Sequence, residues 1–457
     1  MSADLIANPP PHPSFAHALR FWLKLGLISF GGPAGQIAIM HQELVEHRRW
    51  ISERRFLHAL NYCMVLPGPE AQQLATYIGW LLHGTRGGIA AGALFVLPSL
   101  LLLIVLSYVY MAYGDQALIA ALFAGIKPAV AVIVLQAAHR IGGRSLRNPV
   151  MWSIAIAAFV AIFALHLPFP LILVSAAVIG AIGGRIKPEY FQQAGHGASS
   201  VKQYGAALID DHTVLADSTK FRWSYLASVL VFGVFLWCVP MALLYLTFGW
   251  QHQLTQMAWF FTKAALLTFG GAYAVLPYVM QAAVEQFQWL SSRQMMDGLA
   301  LGETTPGPLI MVLVFVGFVA AYGHHTLGIG LEAHAGVLAA CLVTWFTFLP
   351  SFIFIFVGAP LIETTHKQIS FTAPLSAITA AVVGVVLNLG VFFTWHTLFP
   401  QGLSLTNDWS SIYLSLDKSA LAIASVAALA LFYWKRKVME VIAICAALGL
   451  VSHFLVR

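Results

Sequence analysis

The sequence predicts an all-α polytopic membrane protein built from two inverted-topology repeats, each with broken, re-entrant half-helices, joined by one unpaired transmembrane helix. Three observations carry this expectation: scarce charge, a long internal match between the two halves, and loop charge that differs between equivalent loops. Hydrophobic residues make up 59% of the 457-residue chain and charged residues 9%, against roughly 25% charged in soluble domains. So little charge cannot coat a soluble globule of this size. Apolar runs long enough to cross a hydrocarbon layer, which takes about 20 residues, recur at 89–111, 117–138, 225–246, 338–357 and 373–393. Their continuity, in place of alternation, excludes a transmembrane β-barrel.

The first twenty residues, with Pro9, Pro10, Pro11 and Pro13, lack the basic-then-apolar order of a cleavable signal peptide, and the mature protein is expected to keep them. Cys63, Cys238, Cys341 and Cys445 lie singly in apolar surroundings, which reads as four small buried hydrophobes with no metal or redox role. The net charge of +6 does not point to nucleic acid, because Lys and Arg at membrane edges account for it. Neither a phosphate-cradling P-loop, an H-E-x-x-H zinc helix nor a G-x-S-x-G nucleophile elbow occurs in the sequence, so ATP hydrolysis and the commoner hydrolytic chemistries lose their usual support. No catalytic residue, metal site or cofactor is expected.

The duplication is the strongest structural signal. Ser29-Phe30-Gly31-Gly32 falls on Thr268-Phe269-Gly270-Gly271 at an offset of 239. The same register pairs Lys24 with Lys263, Glu46 with Glu285, Trp50-Ile51-Ser52 with Trp289-Leu290-Ser291, Arg54 with Arg293, and Pro67-Gly68-Pro69 with Pro306-Gly307-Pro308. Beyond an insertion of about 13 residues near 322–335, Leu97-Pro98-Ser99 pairs with Leu349-Pro350-Ser351 at an offset of 252. Composition bias produces isolated matches, not polar, aromatic and Pro-Gly-Pro matches in one register.

Orientation follows from loop charge, since Lys and Arg collect on the cytoplasmic side. The loop 140–147 has three Arg, whereas its counterpart, roughly 398–415, has no Lys or Arg. Equivalent loops are therefore expected on opposite sides, the inversion being caused by a single helix at 223–249. The division is 1–184 for the first repeat, 185–222 for a cytoplasmic linker, 223–249 for the unpaired helix and 250–457 for the second repeat. Inverted repeats are a signature of secondary transporters, whose cargo site lies near the midplane where the copies meet.

Within each copy, segments ending in Gly-Gly and in Pro-Gly-Pro are too short and too broken to be plain spans. Proline removes an amide donor and clashes with the preceding turn, so a new helix must start after each Pro-Gly-Pro, with amides and dipole directed at the break, an arrangement suited to an anion. Gly31, Gly32, Pro67, Gly68 and Pro69, with Gly270, Gly271, Pro306, Gly307 and Pro308, are the candidate substrate-binding breaks. A break can also be a mere packing kink, but its repetition beside a Gly-Gly in both copies favours the site. Lys24, Lys263, Arg54 and Arg293 belong to the same segments, and charge inside a bilayer is kept where it is paired or lines an aqueous cavity; snorkelling is the competing reading, strongest for Arg54. Lys127 lies deeper, before Pro128, with neutral Thr379 as its repeat partner, and is the substrate-binding candidate expected to neutralise the anion, pairing with an acidic neighbour being the competing role. Glu46, Glu70, Glu285 and Glu303 are the proton-coupling candidates, with ion pairing the competing role for Glu46 and Glu285; Asp297 is another scarce acid open to either role. His324 and His325 read as loop residues.

The motifs F-G-G-P, W-I-S-E-R-R-F, P-G-P, Y-I-G-W-L-L-H-G-x-x-G-G-I-A-A-G with L-P-S, and G-I-K-P-A together resemble the chromate ion transporter family in its long two-domain form, over nearly the whole chain. The resemblance implies export of chromate from the cytoplasm driven by the proton motive force, chromate resistance, and a multi-pass place in a bacterial inner membrane. Its characteristic residues fall on Phe30, Gly31, Gly32, Pro33, Trp50, Arg54, Pro67, Gly68, Pro69, Gly125, Lys127 and Pro128. The second copy departs from it with Ala272 after Gly271. Implied partners are chromate, sulfate as a competing analogue, protons and the bilayer; a homodimer is an open option. Alternatives are a sulfate or general oxyanion carrier of the same fold, an ion channel, and, from a different class, a membrane-embedded enzyme, which would want a nucleophile or metal cluster.

Overall fold

A computed structural model describes residues 9–30, 32–114, 116–191, 204–210, 213, 221–365, 372–400 and 415–455. The first copy comprises α1 (Phe15–Ile28), α2 (Gly32–His41), α3 (Glu53–Val65), α4 (Glu70–Tyr113), α5 (Ala117–Ser145), α6 (Pro149–Phe163) and α7 (Phe169–Ile186). After α8 (Trp223–Phe248), the second comprises α9 (Gln253–Leu266), α10 (Ala272–Met280), α11 (Ser292–Thr304), α12 (Val312–Gly323), α13 (Glu332–Thr365), α14 (Thr372–Leu398), α15 (Lys418–Ala428) and α16 (Val438–Leu455). Six helices are long and apolar enough to cross a membrane, and shorter apolar helices accompany them. The chain is an all-α polytopic membrane protein. In lipid every backbone polar group must be satisfied within the protein, which a helix does by itself; among the described residues the only β pairing is an isolated bridge, Ile51 to Ile209.

The two copies correspond helix by helix. α4 is bent at His83 and Gly84 (φ 63°, ψ −157°), so its parts 70–82 and 85–113 match the separate α12 and α13. Each expected break carries a short helix on both sides. The correspondence reaches single hydrogen bonds. α2 and α10 both run into a π-helical turn, Gln42–His47 and Gln281–Gln286. Each turn is followed by a residue at φ 51°, Arg49 or Gln288, and then by a buried Trp whose N–H bonds back, Trp50 to Leu44 O at 2.8 Å and Trp289 to Ala283 O at 2.7 Å. Ser52 caps α3 by accepting from Arg55 N, and its partner Ser291 caps α11 with Gln294 completing the box; such caps satisfy amides that have no intrahelical partner.

Packing uses small residues, as expected where lipid offers no hydrophobic drive between helices. Gly125 of α5 lies against Gly449 of α16, and a Cβ there would come within 2.1 Å of Cys445 O; Gly125 is thus a close-approach residue. α8 is the most exposed span, 11% of its central window being buried, and is tied to its neighbours by Trp237 Nε1 donating to Thr262 Oγ1 and by Trp345 Nε1 donating to Leu236 O. Four uniformly buried thiols are not found. Cys63 and Cys445 are buried, but Cys238 and Cys341 lie on outward faces of α8 and α13, because a spanning helix is apolar all round and its sequence does not say which side packs. Of the expected linker, Leu208 and Ile209 donate to Arg49 O and Trp50 O, docking it on the first copy. Most of the loop 398–415 lies outside the described residues. His324 and His325 sit in the turn between α12 and α13, His325 bonding Glu332 at 3.0 Å.

Candidate functional site

The breaks of the two copies cross. Gly68 N–H donates to Thr268 O at 2.7 Å, and Gly307 N–H donates to Ser29 O at 2.8 Å. Since Ser29 and Thr268 are repeat partners, as are Gly68 and Gly307, what the first copy does to the second is returned. Reciprocal contact of this kind is what two-fold related units make. The serines of the two L-P-S motifs obey it too: a Cβ on Gly68 would sit 2.4 Å from Ser351 Oγ, and one on Gly307 would sit 2.7 Å from Ser99 Cβ. With φ of +126° and +103°, only glycine fits either position. The Gly-Gly breaks also face each other, the Cβ position of Gly271 lying 4.0 Å from Pro33.

These two glycine amides, expected to face an anion, are engaged across the copies; what remains for a ligand are the first-turn amides of the helices that start at Gly32, Glu70 and Ala272, and the side chains around the crossings. Gln36 of α2 donates through Nε2 to Ser29 O at 3.4 Å and also to Gly307 O. Gln73 of α4 donates to Pro67 O at 2.8 Å. Both are buried, and both are first-copy features, since the repeat partners are Val275 and Val312.

The candidates separate into those at the crossings and those away from them. Pro67, Gly68, Pro69, Pro306, Gly307 and Pro308 form the crossings; Gly32 (φ 70°) and Gly271 (φ 95°) open α2 and α10, and Gly270 has φ 80°. Gly31 lies outside the described residues. Lys24, Arg54 and Arg293 are exposed, and Lys263 is half-buried with its ammonium 5.8 Å from the Trp259 ring. Lys127 is 3.3 Å from Asp297 Oδ1. Among the acids, Glu46 pairs with His41 at 3.3 Å, Glu285 is exposed, Glu70 adjoins Pro69 at the start of α4, and buried Glu303 accepts from Tyr273 Oη at 2.5 Å.

Two buried ion clusters join the copies, and the sequence reading missed most of their members. Arg55 of α3 pairs with Glu363 of α13, which also accepts from Tyr77 Oη at 2.5 Å. Asp297 of α11 faces Lys127 of α5 and accepts from Tyr110 Oη at 2.9 Å. The only signal for the first was a second arginine beside Arg54 and an acid at the end of an apolar run. Elsewhere, a surface recess at Trp434, Lys435, Arg436 and Lys437 is basic, but Arg436 lies 3.8 Å from Glu440 and the recess is remote in sequence from every break.

Helices broken at two reciprocal crossings, inside a bundle of spanning helices, define a membrane transport protein of the kind whose binding elements are discontinuous helices. The chain belongs to the Chromate transporter family, which it matches over residues 16–181 and again over 255–450. It is 32% identical over 445 residues to the chromate transport protein of Pseudomonas aeruginosa, covering 96% of this chain and 92% of that one. It is 26% identical to the chromate transport protein of Cupriavidus metallidurans over 98% of this chain and 97% of the relative. A probable chromate transport protein of Synechococcus elongatus is 27% identical, with 95% and 99% covered. No solved structure matches the chain.

Proposed function

We propose that the protein is a secondary carrier that moves chromate out of the cytoplasm across the bacterial inner membrane, driven by the proton motive force, and so confers chromate resistance. The reciprocal crossing of the two Pro-Gly-Pro breaks supports this reading most directly, because it brings several helix N-termini to the junction of the copies, where an oxyanion gains from amides and dipoles without a permanent counter-charge. The repeats, 1–184 and 250–457, are inverted by the helix 223–249, with 185–222 on the cytoplasmic side. Glu303 and Glu70, beside the breaks, are the proton-coupling carboxylates; the exposed Lys24, Arg54 and Arg293 and half-buried Lys263 attract the anion toward the breaks, and Glu46 and Glu285 hold the outer turns.

Chromate flux into inside-out vesicles tests cargo, direction and coupling together. Uptake that rises with an imposed proton gradient and collapses with an uncoupler is expected; uptake indifferent to the gradient removes the coupling, and none at all removes the carrier. In the same vesicles a cysteine at Ser145 should be labelled from the cytoplasmic face and one at Ser411 from the other. Labelling of both from one face rules out the inverted arrangement.

A further inference from the structure

The two crossings are equivalent by repeat and unlike in chemistry. At the Gly68 crossing both hydroxyls are engaged, Thr268 Oγ1 donating to Ala264 O at 2.6 Å and Ser351 Oγ lying 3.5 Å from Gln73 Nε2, and the one polar side-chain atom there without a partner among the described residues is Gln73 Oε1. At the Gly307 crossing three polar atoms have no hydrogen-bond partner among the described residues, Ser29 Oγ, Gln36 Oε1 and Ser99 Oγ. Their residues are 0%, 1% and 0% exposed, where polar atoms are nearly always paired. All three residues contact Gly307, Ser29 through its backbone carbonyl. The glycine N–H bonds Ser29 O, its carbonyl accepts from Gln36, and its Cβ position lies 3.1 Å from Ser99 Oγ.

The amide of Gln36 can face only one way. Its two partners, Ser29 O and Gly307 O, are carbonyls that only accept, so Nε2 must point at them and Oε1 is fixed as an acceptor. The serine hydroxyls rotate and can donate. A ligand that satisfies this set carries oxygens to accept from Ser29 and Ser99 and one O–H to give to Gln36.

We propose that Ser29, Gln36 and Ser99 form the oxyanion subsite of the carrier and that it selects the monohydrogen form of a tetrahedral oxyanion. The proposal rests on the oxyanion-carrier reading and adds to it a basis for choosing chromate over sulfate. The two anions have nearly the same shape, but hydrogen chromate gives up its proton near neutral pH and hydrogen sulfate only in strong acid. Sulfate therefore arrives without the proton that Gln36 Oε1 requires and sets its charge against a fixed carbonyl oxygen. A site built to hydrogen-bond an O–H rejects the analogue that lacks it far more strongly than a cavity rejects a small difference in size.

Other titratable or charged groups lie near the breaks: Glu303 with Tyr273 on α11 and α10, Glu70 on α4, and the permanently charged Arg140 of α5, whose guanidinium bears on Glu303. The test separates them from the ligand by changing the ligand. Binding of chromate, selenate and sulfate to the purified full-length protein in nanodiscs is measured by calorimetry across the pH range in which hydrogen chromate deprotonates. Above that point chromate affinity should fall about tenfold per pH unit, as for one proton taken up with the anion. Selenate and sulfate, which carry no proton anywhere in this range, should bind at least a hundredfold more weakly, without that slope. Gln36→Leu should abolish the chromate slope and the preference. Ser99→Ala leaves the Gln36 amide in place; it should weaken chromate about tenfold and keep the slope. Equal binding of chromate and selenate by the wild-type protein, or variants that bind as wild type does, overturns the subsite. Failure of the wild-type protein to bind any of the three anions overturns the carrier reading as well.

Discussion

Half-helices α3 and α11 are repeat partners, and each meets the far end of a long helix of the opposite copy, α13 for α3 and the 85–113 part of α4 for α11. The same junction is thus built twice, and each time it holds an acid, a cation and a tyrosine. The polarity is reversed. At the first junction the half-helix supplies the cation, Arg55, and the long helix the acid, Glu363; at the second the half-helix supplies the acid, Asp297, the long helix only Tyr110, and the cation comes from Lys127 on α5. None of the six has a like partner in the other copy. Arg55, Glu363 and Tyr77 correspond to Gln294, Met111 and Val316, and Asp297, Lys127 and Tyr110 to His58, Thr379 and Ile362. The junctions occupy equivalent places in the two copies, and the charges in them are not shared. Buried ion pairs cost desolvation and are weak contributors to net stability, but both of these run from one copy to the other and so bear on how one copy sits on the other.

The two pairs are enclosed nearly alike, and the junctions differ more in what else surrounds each acid. The Arg55 and Glu363 side chains are 8% and 1% exposed, those of Lys127 and Asp297 11% and 3%. Arg55→Met leaves the Glu363 charge with only Tyr77 to answer it among the described residues, and should cost about 3–5 kcal/mol, read as loss of monodisperse protein from detergent extracts; adding Glu363→Gln should restore much of it. No recovery in the double variant would mean that Arg55 does more than neutralise Glu363. Lys127→Met should cost less, about 1–3 kcal/mol, because Arg293 contributes its charge to Asp297 and Tyr110 still donates to it. The same variant bears on cargo: with Lys127 held by Asp297, the half-saturation concentration for chromate in the protein that inserts should stay unchanged, and a large rise would place Lys127 at the anion instead.

The sequence made legible whatever the copies share. Pro67-Gly68-Pro69, Trp50 and Ser52 each recur at one offset, and the structure turns each into a repeated contact: a crossing, a buried ring under a π turn, a helix cap. Arg55 and Glu363 were illegible for the converse reason, since comparing the copies is blind to a residue present in one alone. Arg54, by contrast, was prominent because Arg293 matches it, yet it points outward while its neighbour Arg55 turns in; consecutive residues on a helix lie about 100° apart, and a short half-helix bounded by breaks offers too few turns to phase them. The outward cysteines at 238 and 341 show the same limit in a long span, where lipid-facing and packed sides are equally apolar. The Gly307 subsite needed the fold outright, because Ser29, Gln36, Ser99 and Gly307 come together only through the crossing.

The smallest expected difference between the junctions lies in their tyrosines. Tyr77 Oη donates to Glu363 at 2.5 Å inside a fully buried setting, and Tyr110 Oη donates to Asp297 Oδ2 at 2.9 Å in a partly buried one. A hydrogen bond to a charged group contributes about 1.5–3 kcal/mol, and removing the hydroxyl keeps the ring and its packing, so Phe is the minimal change at both sites. Tyr77→Phe belongs near the top of that range, because among the described residues Glu363 then has Arg55 alone. Tyr110→Phe belongs at the bottom or below, since Lys127 and the Arg293 charge remain around Asp297 and the ring stays packed on Phe123 and Phe315. Thermal unfolding of the two variants in the same detergent ranks them, and the Tyr77 variant should melt lower. Equal losses would mean that the groups remaining around Asp297 do not replace the tyrosine hydroxyl, and a larger loss for Tyr110→Phe would make the Asp297 junction the one that holds the copies together.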